Sequence, residues 1–168
     1  MKKIGLLLGL ASVAFAHTGV HSTGGFMSGL LHPIGGFDHI LAMVGVGALA
    51  YVVGQKGFVS ILSFIFCMVL AAVIGYSGVA IIGIEEGILL SIAVIFSLLM
   101  VANKIPTIFI ASIVGVFGFF HGFAHGTEFA TGSFISYIFG FTLSTLALHI
   151  VGFAIAYISS QKIVKARV

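Results

Sequence analysis

The stretch Phe119-Phe120-His121-Gly122-Phe123-Ala124-His125-Gly126-Thr127-Glu128 gathers three metal-capable side chains within a chain that has few polar groups elsewhere. The two imidazoles are four residues apart and the carboxylate follows three later, so all three lie along one face if the segment is helical. Two nitrogens and a carboxylate on one face suit a borderline divalent transition ion. Magnesium and calcium prefer all-oxygen shells. The competing reading is that histidines in a membrane helix hydrogen-bond a neighbouring helix and hold no ion. The choice turns on whether another part of the chain brings a second cluster to the same place.

What surrounds the stretch sets the fold class. Of 168 residues, 60% are hydrophobic and only 7% charged, with a mean hydropathy of +1.30, whereas soluble domains carry roughly 25% charged residues. Such a chain cannot cover itself with a water-facing surface, and we read it as an all-α, polytopic transmembrane helix bundle whose surroundings are the lipid bilayer. The formal charge is +3, but the bases are scattered. Lys2 and Lys3 precede the first apolar run, Lys56 and Lys104 stand alone, and Lys162, Lys165 and Arg167 end the chain. There is no basic stripe for nucleic acid to follow. The single cysteine, Cys67, lies within an apolar run and reads as a small buried hydrophobe.

Residues 1–16 combine two lysines, an apolar run from Ile4 to Val13 and Ala14-Phe15-Ala16 as a small-x-small site, which is the pattern of a cleaved signal peptide. Residues 17–168 then form one integral membrane domain. Cleavage would place a free α-amine on His17, with His21 four residues on. That terminus is either an accessory metal ligand on the outer face or a flexible end without a role.

Further on, the apolar region from Gly24 to Tyr51 is interrupted at His32-Pro33-Ile34-Gly35-Gly36. Proline lacks an amide hydrogen and disfavours helix in the residue before it. The expectation is a short half-helix up to about Leu31, a break, and a first span over 36–53. Non-helical backbone survives at membrane depth only where it is buried in protein or faces a watery cavity, so the break, which carries His32, Asp38 and His39, points to a site. Further spans are expected over 58–82, 87–102, 106–123 and 133–159, each near or above the roughly 20 residues that cross a bilayer, although the third is short. That makes five full spans and a half-helix.

The bases orient the bundle. With the cleaved N-terminus outside, Lys56, Lys104 and the 162–167 tail fall in the cytoplasm, as the positive-inside rule requires. Glu85, Glu86, the Asp38-His39 pair and the 121–128 stretch then share the outer side. Gly118, Gly122 and Gly126 repeat every four residues, as do Gly83 and Gly87, and are read as packing positions that let backbones approach.

Two clusters follow, His32-x5-Asp38-His39 and His121-x3-His125-x2-Glu128. We assign His32, Asp38, His121 and His125 as metal ligands, with His39 and Glu128 either ligands or partners that orient an imidazole. His149 stands about 24 Å into the last span at 1.5 Å per residue. It is either a lower station on an ion path or an interhelical hydrogen-bond partner of serines and threonines such as those at 142–145. Met43, Met68 and Met100 read as filler.

The segment 32–39 with Leu41-Ala42-Met43-Val44-Gly45-Val46-Gly47, together with 120–128, resembles the HupE/UreJ family of hydrogenase and urease accessory proteins. The resemblance covers essentially the whole chain. It implies a cytoplasmic-membrane permease, multi-pass, with its mature N-terminus periplasmic, that supplies nickel for metalloenzyme maturation. Some relatives are thought to carry cobalt. By it His32, Asp38, His39, His121, His125 and Glu128 fall on the family's motif positions, and six spans are implied after cleavage. No organic cofactor is expected, the chain is not expected to be an enzyme, and G-x-x-x-x-G-K-[ST] is absent, which argues against ATP coupling within this chain. Five spans are few for an alternating-access machine, which leaves a homo-oligomer open. The competing class is an intramembrane zinc hydrolase built on the same His/carboxylate cluster, with a water at an open position. Histidines bind metal only when neutral, so capture should weaken as external pH falls through about 6.5.

Overall fold

The computed structural model describes residues 25–165, with side chains to 162. The expected signal peptide, His17 and His21 lie outside the described residues. Among the described residues there is no strand. The elements are α1 (Phe26–Gly35), α2 (Phe37–Val53), α3 (Phe58–Tyr76), α4 (Ile84–Val101), a 3-10 turn (Ala102–Lys104), α5 (Thr107–Glu128) and α6 (Phe134–Lys165).

Four of these, α3 to α6, are long and apolar enough to cross a membrane. The 17-residue α2 reaches that standard only together with α1, and the pair is bent by 87°. Ten residues of α1 rise about 15 Å, half the hydrocarbon thickness.

The break does not fall where proline rules place it. The helix runs through Pro33 and ends at Gly35, four residues beyond the expected stop at Leu31. Packing outweighs local preference here, because Pro33 is buried and α1 lies tightly on α6. A Cβ on Gly29 would sit 2.0 Å from the Tyr137 carbonyl oxygen, and one on Gly140 would sit 2.2 Å from that of Phe26. The turn falls instead on Gly36, whose extended backbone (φ −108°, ψ 122°) caps α2 and accepts the Ile40 amide at 3.0 Å.

Other boundaries also move. Helix α3 stops at Tyr76 rather than Ile82, because Ser77 turns its hydroxyl onto the Ile74 carbonyl and Gly78 adopts a positive φ of 84°. Helix α4 starts at Ile84, three residues earlier than expected, and so takes Glu85 and Glu86 into its first turn, where the helix dipole favours acidic groups. Gly83 is the left-handed residue before that helix and not a packing position within it. Helix α5 continues past Phe123 to Glu128, which makes the opening stretch helical to its last carboxylate.

Glycine determines how these helices meet. Along α5, a Cβ on Gly118, Gly122 or Gly126 would lie 2.3, 1.9 or 2.1 Å from the carbonyl oxygens of Phe64, Met68 and Ala72 on α3. Helices α2 and α6 interlock in the same manner, Gly47 against the His149 carbonyl and Gly152 against that of Val44. Gly87 differs, since it faces the Phe120 ring and not a backbone. The core between the helices holds Met43, Leu49, Phe64, Met68, Ile95, Ile110 and Phe141.

Helix order places Lys56, in the α2–α3 turn, Lys104, in the α4–α5 turn, and Lys162, near the end of α6, at one end of the bundle. The start of α2 and the end of α5 lie at the other. The large exposed apolar side chains, among them Leu62, Phe66, Phe109, Ile150 and Ile155, line the flanks as lipid-facing groups do.

Candidate metal centre

At the end of the bundle away from the lysines, the two sequence clusters meet. His32, in the last turn of α1, brings Nε2 to 3.1 Å from Glu128 Oε2, in the last turn of α5. His125, one turn back along α5, places Nδ1 3.4 Å from the same oxygen. The His32 and His125 rings stand edge to face with centroids 4.5 Å apart. One ligand atom from each of the three residues falls within 4.8 Å of the other two. That spacing leaves a divalent ion room to sit among them after small side-chain adjustments.

A deeper layer lies against this trio. The His39 ring is 4.6 Å from that of His125 and 5.1 Å from that of His121. His39 Nδ1 donates to Asp38 Oδ1 at 3.0 Å, and both side chains are 2% exposed. A carboxylate holding one ring nitrogen fixes the tautomer and leaves Nε2 with the lone pair. The backbone does the same for His121, whose Nδ1 donates to the Phe117 carbonyl at 2.8 Å. His121 Nε2 is buried without a hydrogen-bond partner among the described residues.

The arrangement is therefore graded. His32 and Glu128 are about a third exposed, at 30% and 28%, while His121 and His125 are fully buried. All six residues singled out from the sequence converge, but their grouping differs from the assignment made there. Glu128 joins His32 and His125, whereas Asp38 bonds His39. His149 lies apart, also fully buried, and neither of its ring nitrogens has a hydrogen-bond partner among the described residues. It therefore makes no interhelical hydrogen bond to a serine or threonine among the described residues.

Three aromatic residues of the site carried no sequence signal. Phe141 packs its ring 4.2 Å from that of His125, Tyr137 stands 6.0 Å from His32, and Phe64 contacts His121 at 5.4 Å. They arrive from α3 and α6, whose apolar runs look alike in one dimension. A cleft of about 440 Å³ opens on the same end of the bundle, lined by Glu85, Glu86, Phe123 and Thr127. None of the six site residues lines it.

Gly36 is the residue whose smallness the site depends on. A Cβ there would sit 2.8 Å from Asp38 Oδ1 and 2.9 Å from His39 Nδ1. Gly36→Ala is expected to push this pair apart and weaken metal binding about tenfold, the scale of lost orienting partners. Calorimetric titration of nickel into the two purified proteins checks it, and equal affinities would refute it.

A family model described as HupE / UreJ protein matches residues 5–167. Protein HupE of Rhizobium leguminosarum bv. viciae is 40% identical over 151 residues, covering 89% of this chain and 78% of that protein. No solved structure matches the chain.

Proposed function

The chain belongs to the HupE/UreJ family, and we propose that it is a permease taking up divalent nickel, with cobalt as the alternative ion, for maturation of a hydrogenase or urease. The observation that carries the reading is the trio His32, His125 and Glu128, drawn from two helices to within 4.8 Å at the end of the bundle that holds no lysine among the described residues. Two imidazoles and one carboxylate bind nickel well without enclosing it, as a site that must also release its ion requires.

The positive-inside rule puts Lys56, Lys104 and Lys162 in the cytoplasm and the trio on the periplasmic side of the inner membrane. Capture begins at His32 and Glu128, the partly exposed members. The ion then meets His39 and His121, each holding its lone pair on Nε2 because Nδ1 is engaged by Asp38 or by the Phe117 carbonyl. Water-facing groups take the ion first and buried imidazoles take it afterwards, a sequence suited to stripping its hydration shell in steps.

Purified protein in liposomes tests this, with nickel outside and a chelating dye within. Accumulation that is lost in His121→Ala supports the permease. Tightly retained zinc with hydrolytic activity and no flux would replace it with the intramembrane hydrolase, and binding without flux would make the chain a metal chaperone or sensor.

A further inference from the structure

Below the capture cluster the polar groups continue, and no hydrogen bond among the described residues explains them. His149 has 0% exposure. Its carbonyl is pressed against Gly47, eight residues along α2 from His39 and so about 12 Å deeper in the bundle. Both of its ring nitrogens lack hydrogen-bond partners among the described residues, as does the Thr145 hydroxyl one turn above it on α6. Each such group buried without a partner destabilises the protein by about 1–3 kcal/mol, and apolar residues in their place would avoid that. A recurring ligand explains why such groups stand there.

Phe64 relates this lower group to the upper one. Its ring lies 5.4 Å from that of His121 and 5.1 Å from that of His149, so the one aromatic side chain contacts both imidazoles. The Phe64 carbonyl packs at the level of Gly118, three residues below His121 on α5. One turn earlier on α3, nearer the lysine end, Ser60 is wholly buried and its hydroxyl has no partner among the described residues. The order down the bundle is therefore His121, the Phe64 ring, then His149.

We propose that His121 and His149 are successive stations for the transported ion, with the Phe64 ring as the barrier between them. The inference rests on the permease reading and adds to it a second, inner metal site and a gate. At the inner site the ion would be held by an imidazole with hydroxyl oxygens nearby, a weaker shell than the capture trio, as the station nearer the exit should be. An apolar ring between two polar stations blocks hydrated ions and opens by a side-chain rotation, the behaviour of a hydrophobic constriction.

The full-length protein, in liposomes for nickel flux and in lipid nanodiscs for nickel affinity, tests the proposal. His149→Leu removes both nitrogens yet suits the apolar surroundings. It should hold nickel affinity within about twofold while lowering flux about tenfold or more. Phe64→Leu removes the ring and should raise flux about threefold. Opposite signs in the two variants are what a mere packing role does not produce.

Wild-type flux in His149→Leu overturns the inner station, and parallel losses in the two variants overturn the gate. If His149→Leu loses nickel binding as well, His149→Gln decides: undiminished flux refutes the station, and lost flux with binding intact supports it. Failure of the wild-type protein to bind or move nickel would defeat the permease reading itself. A wild-type protein that transports, together with a His125→Ala variant that does not and a His149→Leu variant that does, would defeat the inner station alone.

Discussion

His125→Ala is expected to lower nickel affinity about 100-fold and abolish uptake at micromolar nickel. His125 touches both the outer trio and the deeper layer of the site. Its ring faces His32 at 4.5 Å and His39 at 4.6 Å, and its Nδ1 stands 3.4 Å from Glu128 Oε2. Removing it leaves His32 and Glu128 as a two-point site and separates the outer trio from the deeper pair. Packing also suffers, because Phe141 loses a ring partner at 4.2 Å. His125→Asn keeps part of the volume and distinguishes the two effects. Metal binding should fall in both variants, while thermal stability should fall mainly in the alanine variant. Calorimetric affinity and a thermal unfolding scan read the two quantities separately, and a His125→Ala protein with unchanged nickel affinity would remove this residue from the ligand set.

Gly122→Ala is expected to destabilise the fold by at least about 3 kcal/mol, at the upper end of overpacking effects. The added carbon would lie 1.9 Å from the Met68 carbonyl oxygen and 2.6 Å from its carbon, both backbone atoms that cannot rotate aside. Helices α3 and α5 would have to separate, and His121, adjacent to Gly122, would move with them. Gly25→Ala is the control, since a Cβ there meets nothing within 4 Å. Thermal unfolding in detergent should place Gly122→Ala far below the parent protein and Gly25→Ala beside it. Equal unfolding temperatures in all three would mean that the helices tolerate a wider spacing than the glycine contacts imply.

The all-helical character, the order of the helices and the residues that converge in the candidate site were legible in the sequence. Apolar runs of span length need only composition, and His32, Asp38, His39, His121, His125 and Glu128 stand out because so little else in the chain is polar. Their division of labour was not legible. Adjacent residues on a helix point about 100° apart, so spacing alone does not pair Asp38 with His39, yet both sit in the first turn of α2 and bond each other. The position of the break was misjudged because Pro33 acts locally, whereas the contacts of Gly29 and Gly140 that hold α1 straight come from residues more than a hundred positions apart. Phe64 and Phe141 escaped notice for a similar reason. Which face of α3 or α6 turns inward depends on where glycine lets two backbones touch, and a hydropathy pattern that is apolar all round does not report it.

The turn at Gly36 has a consequence for the backbone groups an entering ion meets. Helices α1 and α5 both end at the site, at Gly35 and Glu128, while α2 begins there at Phe37. A helix end carries about half an elementary charge, negative at the carbonyl end and positive at the amide end. Two carbonyl ends therefore face the ion against one amide end, and that one carries Asp38 in its first turn. Had α1 and α2 formed one straight helix, neither terminus would exist, and the attraction at the mouth would rest on the Asp38 and Glu128 carboxylates and α5 alone. The termini made by the turn cancel in summed charge, but the last carbonyls of α1, which a continuous helix would have bonded internally, are left at the site as oxygen donors for a cation.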